Sequence, residues 1–110
     1  MDTHAEITID ASPDAVFQVL WDVARYPEFL SDVVDVVVVP GANPLELTAS
    51  FQVQLLRVRS YSLHMVAEPP WLLRWTLEHG DSLVRNDGAW RLSPDPAGAG
   101  VRARYELGLD

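Results

Sequence analysis

Four tryptophans, three tyrosines and three histidines, with no cysteine, are the side chains from which this 110-residue chain could build a site. The missing cysteine removes thiolate nucleophiles, disulfides and zinc-thiolate centres together. His4, His64 and His79 share no short ligand spacing, and no metal is expected. No nucleophile motif, phosphate loop or paired-carboxylate signature occurs either, so no cofactor is expected. What remains is aromatic. Phe51, Tyr61, Trp75 and Trp90 fall on one parity of successive alternating segments, the composition of a ligand pocket, which is mostly apolar with few polar groups. Tyr105 and His79 fall on the same parity, and each offers a polar tip able to hydrogen-bond an oxygen of a bound molecule. Taken singly, Phe51, Tyr61, Trp75 and Trp90 each also read as ordinary core, and His79, beside Gly80-Asp81, as a strand end satisfied by a turn carbonyl.

The elements that must position them follow from periodicity. Glu6 to Asp10 alternates as a short strand with Ile7 and Ile9 on one side. Ser12 is an N-cap, Pro13 occupies the first helical position and Asp14 lies at the positive end of the dipole, so a helix is predicted from Pro13 to Arg25. Its apolar stripe, Val16, Val19, Leu20 and Val23 widened by Phe17 and Trp21, predicts cover on more than one side. Pro27 disfavours helical geometry at Tyr26, ending that helix and opening a second short turn through Leu30. Val33 to Val39 is β-branched on both faces and reads as a strand under the first helix, or as an edge.

From there the period is two. Leu45 to Leu55, Tyr61 to Glu68, Leu72 to His79, Gly88 to Ser93 and Val101 to Leu109 each set an apolar face against a polar one. Turn chemistry separates them: Pro40 to Pro44, Glu68-Pro69-Pro70, Gly80-Asp81, Asn86-Asp87-Gly88 and Pro94 to Gly100. Connections this short imply an antiparallel meander. The fold class is α+β: a curved antiparallel sheet of about six to seven strands with two short helices between strands one and two.

Composition narrows the function. The length suits one domain, and 48% hydrophobic residues with 22% charged is the balance of a folded protein. Sixteen acids oppose eight basic residues, all arginine, for a net charge of −8. That balance repels phosphate backbones and anionic lipid surfaces, so nucleic acid is not an expected partner. The longest apolar run, Val36 to Val39, is far below the roughly 20 residues of a membrane span. The first ten residues lack a basic region followed by an apolar stretch, so a cytoplasmic location is expected. The arginines Arg57, Arg59, Arg74, Arg85, Arg91, Arg102 and Arg104 read as sheet-exterior charge balancing Glu46, Glu78 and Glu106.

Element order and local wording carry a resemblance. The phrase from Ile9 to Val33, with Asp22-Val23, Tyr26-Pro27 and Phe29-Leu30, followed by strands containing Gly88 and Trp90, resembles the START-like, or helix-grip, superfamily. Within it the chain is similar to the polyketide cyclase/dehydrase group that includes coenzyme Q-binding proteins. The resemblance spans nearly the whole chain. It implies that the broken helix is a corner across one end of a curved sheet, and that an apolar ligand is enclosed between the sheet and a long C-terminal helix. Residues 1–110 are expected to form a single START-like domain; Asp110 stands where that helix would begin, which leaves open a C-terminal truncation, a shortened family member, or another subunit covering the sheet.

The function so implied is binding or carriage of a small hydrophobic ligand, such as an isoprenoid quinone, lipid or polyketide-like compound, on the concave face. Polyketide cyclase or aromatase activity and a protein-interaction module using the apolar face are the alternatives, and whether the chain is an enzyme stays open. An uncovered face bearing Phe51, Trp75, Trp90 and Leu107 further implies a homo-oligomer or a protein partner over the sheet.

Overall fold

The computed structural model describes residues 1–54, 56–81 and 83–110; Leu55, read as the end of an alternating segment, lies outside the described residues. The elements in chain order are β1 (Asp2–Ile9), α1 (Pro13–Trp21), a 3₁₀ helix (Val23–Glu28), β2 (Val33–Pro40), β3 (Glu46–Gln54), β4 (Val58–Glu68), β5 (Leu72–Gly80), β6 (Asn86–Pro94) and β7 (Val101–Leu109). The strands form one antiparallel seven-stranded sheet in the order β1-β7-β6-β5-β4-β3-β2. This is the α+β, helix-grip-like arrangement that the meander of alternating segments and the two intervening helices predict.

The opening of α1 follows its sequence. Ser12 Oγ accepts from the Ala15 N–H at 3.2 Å, Pro13 follows it, and Asp14 lies in the first turn. The end does not. The helix stops at Trp21, a full turn before Arg25, and the chain continues from Val23 as a 3₁₀ helix with Pro27 inside it rather than at its start. Tyr26, constrained by the following proline, cannot hold α geometry. Its hydroxyl instead donates to the Leu20 carbonyl oxygen, one of the acceptors left without an intrahelical partner at the end of α1. The apolar stripe of α1 is covered over part of its width. Val16 and Phe17 are buried, whereas Val19 is 56% exposed and faces the hollow of the sheet.

The buried core joins Val16, Phe17 and Val23 to Leu47, Ala49, Leu73, Leu92, Val101 and Ala103 of the sheet's inner face. β2 is an edge strand, hydrogen-bonded only to β3, and the 3₁₀ helix rather than α1 lies against it. Val34 is an extra residue in the β2–β3 register, which turns Val36 inward and leaves Val37 and Val39 exposed. A second register shift matters more. Leu63 stands opposite Leu77, but Ser62 stands opposite His79, so Glu78 is an extra residue in β5. Beyond it the parity of β5 reverses, and Gly80 rather than His79 faces inward opposite Tyr61.

Candidate functional site

The inner face of the sheet, α1 and the 3₁₀ helix enclose a hollow of about 780 Å³. One wall comes from β5, β6 and β7, where the Trp75 ring stacks on Tyr105 with centroids 5.8 Å apart, and Tyr105 in turn meets Trp90 at 5.0 Å. The other comes from the corner helix, β3 and β4: Tyr26 meets Phe29 at 5.6 Å and Phe51 at 6.4 Å, and Phe51 stacks on Tyr61 at 5.3 Å. Leu63, Met65 and Leu107 complete the floor between them. Such pairs add their own geometric preference to the burial of apolar area.

Five of the six residues expected from parity therefore stand together: Phe51, Tyr61, Trp75, Trp90 and Tyr105 all line the hollow. His79 does not. The extra residue Glu78 places it on the outer side opposite Ser62, where it is exposed, so the expectation of inward parity is corrected by the bulge. A second correction concerns exposure. Phe51 and Trp75 are only 5% and 7% exposed and Trp90 and Leu107 are half-buried, because strong curvature turns them toward one another. Around the hollow the apolar side chains that stay open are Val19, Phe29 and Leu30, all more than two-fifths exposed.

The polar groups of the hollow are few. Tyr26, Tyr61 and Tyr105 all have phenols pushed above their ordinary range, chiefly by burial, and the charge that Tyr105 would carry raises the other two further. The phenols therefore stay uncharged donors at neutral pH. Asn86, 7% exposed, accepts the indole N–H of Trp75 on its Oδ1 at 3.1 Å. Asp32, Arg59 and Asp81 also line the hollow.

Several residues of the hollow stand outside the six that strand parity gives. Arg59 was expected on the sheet exterior but pairs with Val53 on the inner side, as counting back two residues from Tyr61 would show. Asn86 was expected in a turn, but β6 begins there, opposite Leu109. Tyr26, Phe29 and Leu30 enter the wall because the corner helix folds over the sheet, which no strand periodicity signals.

The outer face is chemically different. An open groove there is lined by Arg74, Arg91, Arg104, Glu106 and His64. Arg91 and Arg104 both bind the Glu106 carboxylate, at 2.8 and 3.0 Å, and hold its pKa below the usual range. Arg102 reaches Glu6 at 3.4 Å, Arg85 reaches Asp87 at 2.8 Å, and Glu46 lies 3.6 Å from His64. Among the described residues no group of three histidine or acidic side chains is placed to hold a metal ion, and no helix is long and apolar enough to cross a membrane.

Comparison with known proteins matches the architecture. The fold is similar to that of TTHA0849 from Thermus thermophilus, at 20% identity over 100% of this chain and 74% of that one, with a TM-score of 0.88. It is also similar to the Zhui aromatase/cyclase of a Streptomyces species, at 15% identity over 100% and 68%, TM-score 0.81. A STAR-related lipid transfer protein from Xanthomonas axonopodis aligns at 19% identity over 99% and 68%, TM-score 0.81. Among curated proteins there is no match. The family model described as polyketide cyclase / dehydrase and lipid transport matches residues 9–110, and to that family this chain belongs.

Proposed function

We propose that this protein binds and carries a small hydrophobic molecule, of the isoprenoid quinone, lipid or polyketide-like kind, in the hollow of its sheet. The observation that supports this best is the hollow itself. About 780 Å³ of space flanked by two aromatic walls, with Phe51, Tyr61, Trp75, Trp90 and Tyr105 in its lining, has the size and composition of a ligand site rather than of a packed core. Burying an apolar ligand there removes its surface and the rim's from water at about 25 cal/mol per Å². The membership of a family described by cyclisation and lipid transport agrees with such a cargo.

Native mass spectrometry of the purified protein, followed by titration with the neutral dye Nile red, tests the reading. A co-purified apolar mass or saturable dye fluorescence at one site per chain is expected. A ligand-free mass together with no saturable fluorescence overturns it. A stoichiometric protein partner covering the rim, with the hollow inaccessible to dye, would favour the interaction module instead.

Cyclase or aromatase chemistry is the second reading, favoured by the uncharged phenols of Tyr61 and Tyr105 in the hollow. A neutral phenol can give a proton to a carbonyl oxygen as an enol forms, while the walls hold a reactive chain folded. Turnover of a poly-β-ketone thioester, lost in Tyr105→Phe without loss of binding, would separate catalysis from carriage.

A further inference from the structure

Among the described residues the amide of Asn86 is the buried polar side chain of the hollow whose orientation is dictated from within the protein. An indole N–H only donates, so the atom 3.1 Å from Trp75 Nε1 must be the amide oxygen, which fixes the NH₂ group at the opposite position. Among the described residues that Nδ2 has no acceptor. It is not sealed away either: among the described residues no buried side-chain nitrogen or oxygen is left without a partner, and Asn86 lines the hollow, so the NH₂ group reaches its surface. A side chain only 7% exposed has thus one end used by the protein and two N–H donors offered inward.

The surroundings decide what it meets. Trp75, which holds Asn86, is itself pinned: its ring lies against Gly88, where even a methyl carbon would stand 2.7 Å from Cζ2. It also stacks on the Tyr105 ring. The donor is therefore mounted on a rigid aromatic wall and presented at the level of a flat ligand lying against that wall. An uncompensated N–H in an apolar site costs free energy when a ligand displaces water from it without accepting its bond. Among the described residues two carboxylates, Asp32 and Asp81, and one arginine, Arg59, are the charges that line the hollow, a balance that disfavours an anionic ligand head.

We infer that Asn86, oriented by Trp75, is the specificity-determining donor of the hollow and selects neutral ring-bearing ligands that carry a carbonyl oxygen over hydrocarbons of the same shape. This deepens the binding reading above and rests on it. The carbonyl accepts from Nδ2–H while the ring system lies on Trp75 and Tyr105; a hydrocarbon leaves the amide dry and unpaired.

Fluorenone and fluorene, a ketone and its parent hydrocarbon, are the probes. The wild-type chain is expected to bind fluorenone about three- to tenfold more tightly than fluorene, the span of one net hydrogen bond. Asn86→Asp, measured at pH 8, keeps an oxygen for the indole and replaces the donor with a second acceptor; it is expected to bind the two probes alike. Should the variant not fold, the wild type decides alone: the side-chain amide resonances of Asn86, distinguishable from those of Asn43, should shift with fluorenone and not with fluorene. Equal wild-type affinities, a ketone preference that survives in folded Asn86→Asp, or amide resonances indifferent to fluorenone would overturn the inference while leaving apolar binding intact. Failure to bind either probe would overturn both.

Discussion

The hydroxyl of Tyr26 donates to the backbone carbonyl oxygen of Leu20 at 2.5 Å, closing the end of α1 with a side chain from the very segment that breaks it. The same ring meets Phe51 on the sheet and Phe29 beside it, so one residue both terminates the helix and builds the far wall of the hollow. Removing only the oxygen tests the first role. Tyr26→Phe leaves the Leu20 carbonyl to water and should lower unfolding stability by about 1 kcal/mol, with the ring contacts retained. Urea denaturation measures it, and an unchanged midpoint would show that the cap contributes nothing.

The chain's three tyrosines all have phenols raised by burial, Tyr26 the furthest. In the unfolded chain they ionise near pH 10. Above that pH the unfolded state has lost protons that the folded state keeps, so it binds fewer and stability falls as pH rises. The contribution is fully present below about pH 10 and is lost progressively on the way to the folded phenols' own range. Alkaline titration followed by phenolate absorbance and circular dichroism should therefore show ionisation delayed beyond an exposed tyrosine, with the last phenolate appearing together with loss of fold. Three independent phenolates titrating at the ordinary pH in an intact fold would contradict the buried placement.

Gly88 is inward-facing on β6, beneath Trp75, and a methyl carbon there would meet the Glu106 carbonyl oxygen of the neighbouring strand as well as the indole. Neither backbone nor stacked ring has room to give. Gly88→Ala should cost about 1–3 kcal/mol by overpacking and should weaken Nile red binding by displacing Trp75. A thermal melt and dye titration check both. Retained stability with altered binding would mean that the indole moves more freely than its contacts with Asn86 and Tyr105 suggest.

How legible this was depends on the period of each element. β3, β4 and β7 alternate without interruption, so Phe51, Tyr61 and Tyr105 could be assigned an inward face from sequence alone. β5 carries an extra residue at Glu78, and a single insertion reverses parity for everything after it; nothing in Thr76-Leu77-Glu78-His79 announces it. β6 begins at Asn86 because its backbone finds Leu109 on β7, a long-range pairing that outweighs the local turn preference of Asn-Asp-Gly. The corner residues Tyr26, Phe29 and Leu30 belong to the site through tertiary packing, and a helical segment of six residues has too short a period to declare a face.

The bulge at Glu78 also separates two residues that sequence parity had treated alike. Tyr105 stands between Trp75 and Trp90 on the wall of the hollow, whereas His79 lies outside, opposite Ser62. If the hollow is the binding site, the two positions must respond differently to the same substitution. Tyr105→Phe keeps the ring stack and removes a donor hydroxyl, so it should weaken the multi-acceptor dye Nile red by a few fold and leave the fluorenone-to-fluorene ratio, set by Asn86, unchanged. His79→Phe alters a side chain that water already reaches and should change neither, with stability held within about 0.5 kcal/mol. Paired titrations of the two variants check this. If His79→Phe depressed binding while Tyr105→Phe did not, the ligand would have to lie on the outer side of the sheet, among the ion pairs of Arg91, Arg104 and Glu106, and the aromatic walls would be nothing more than core.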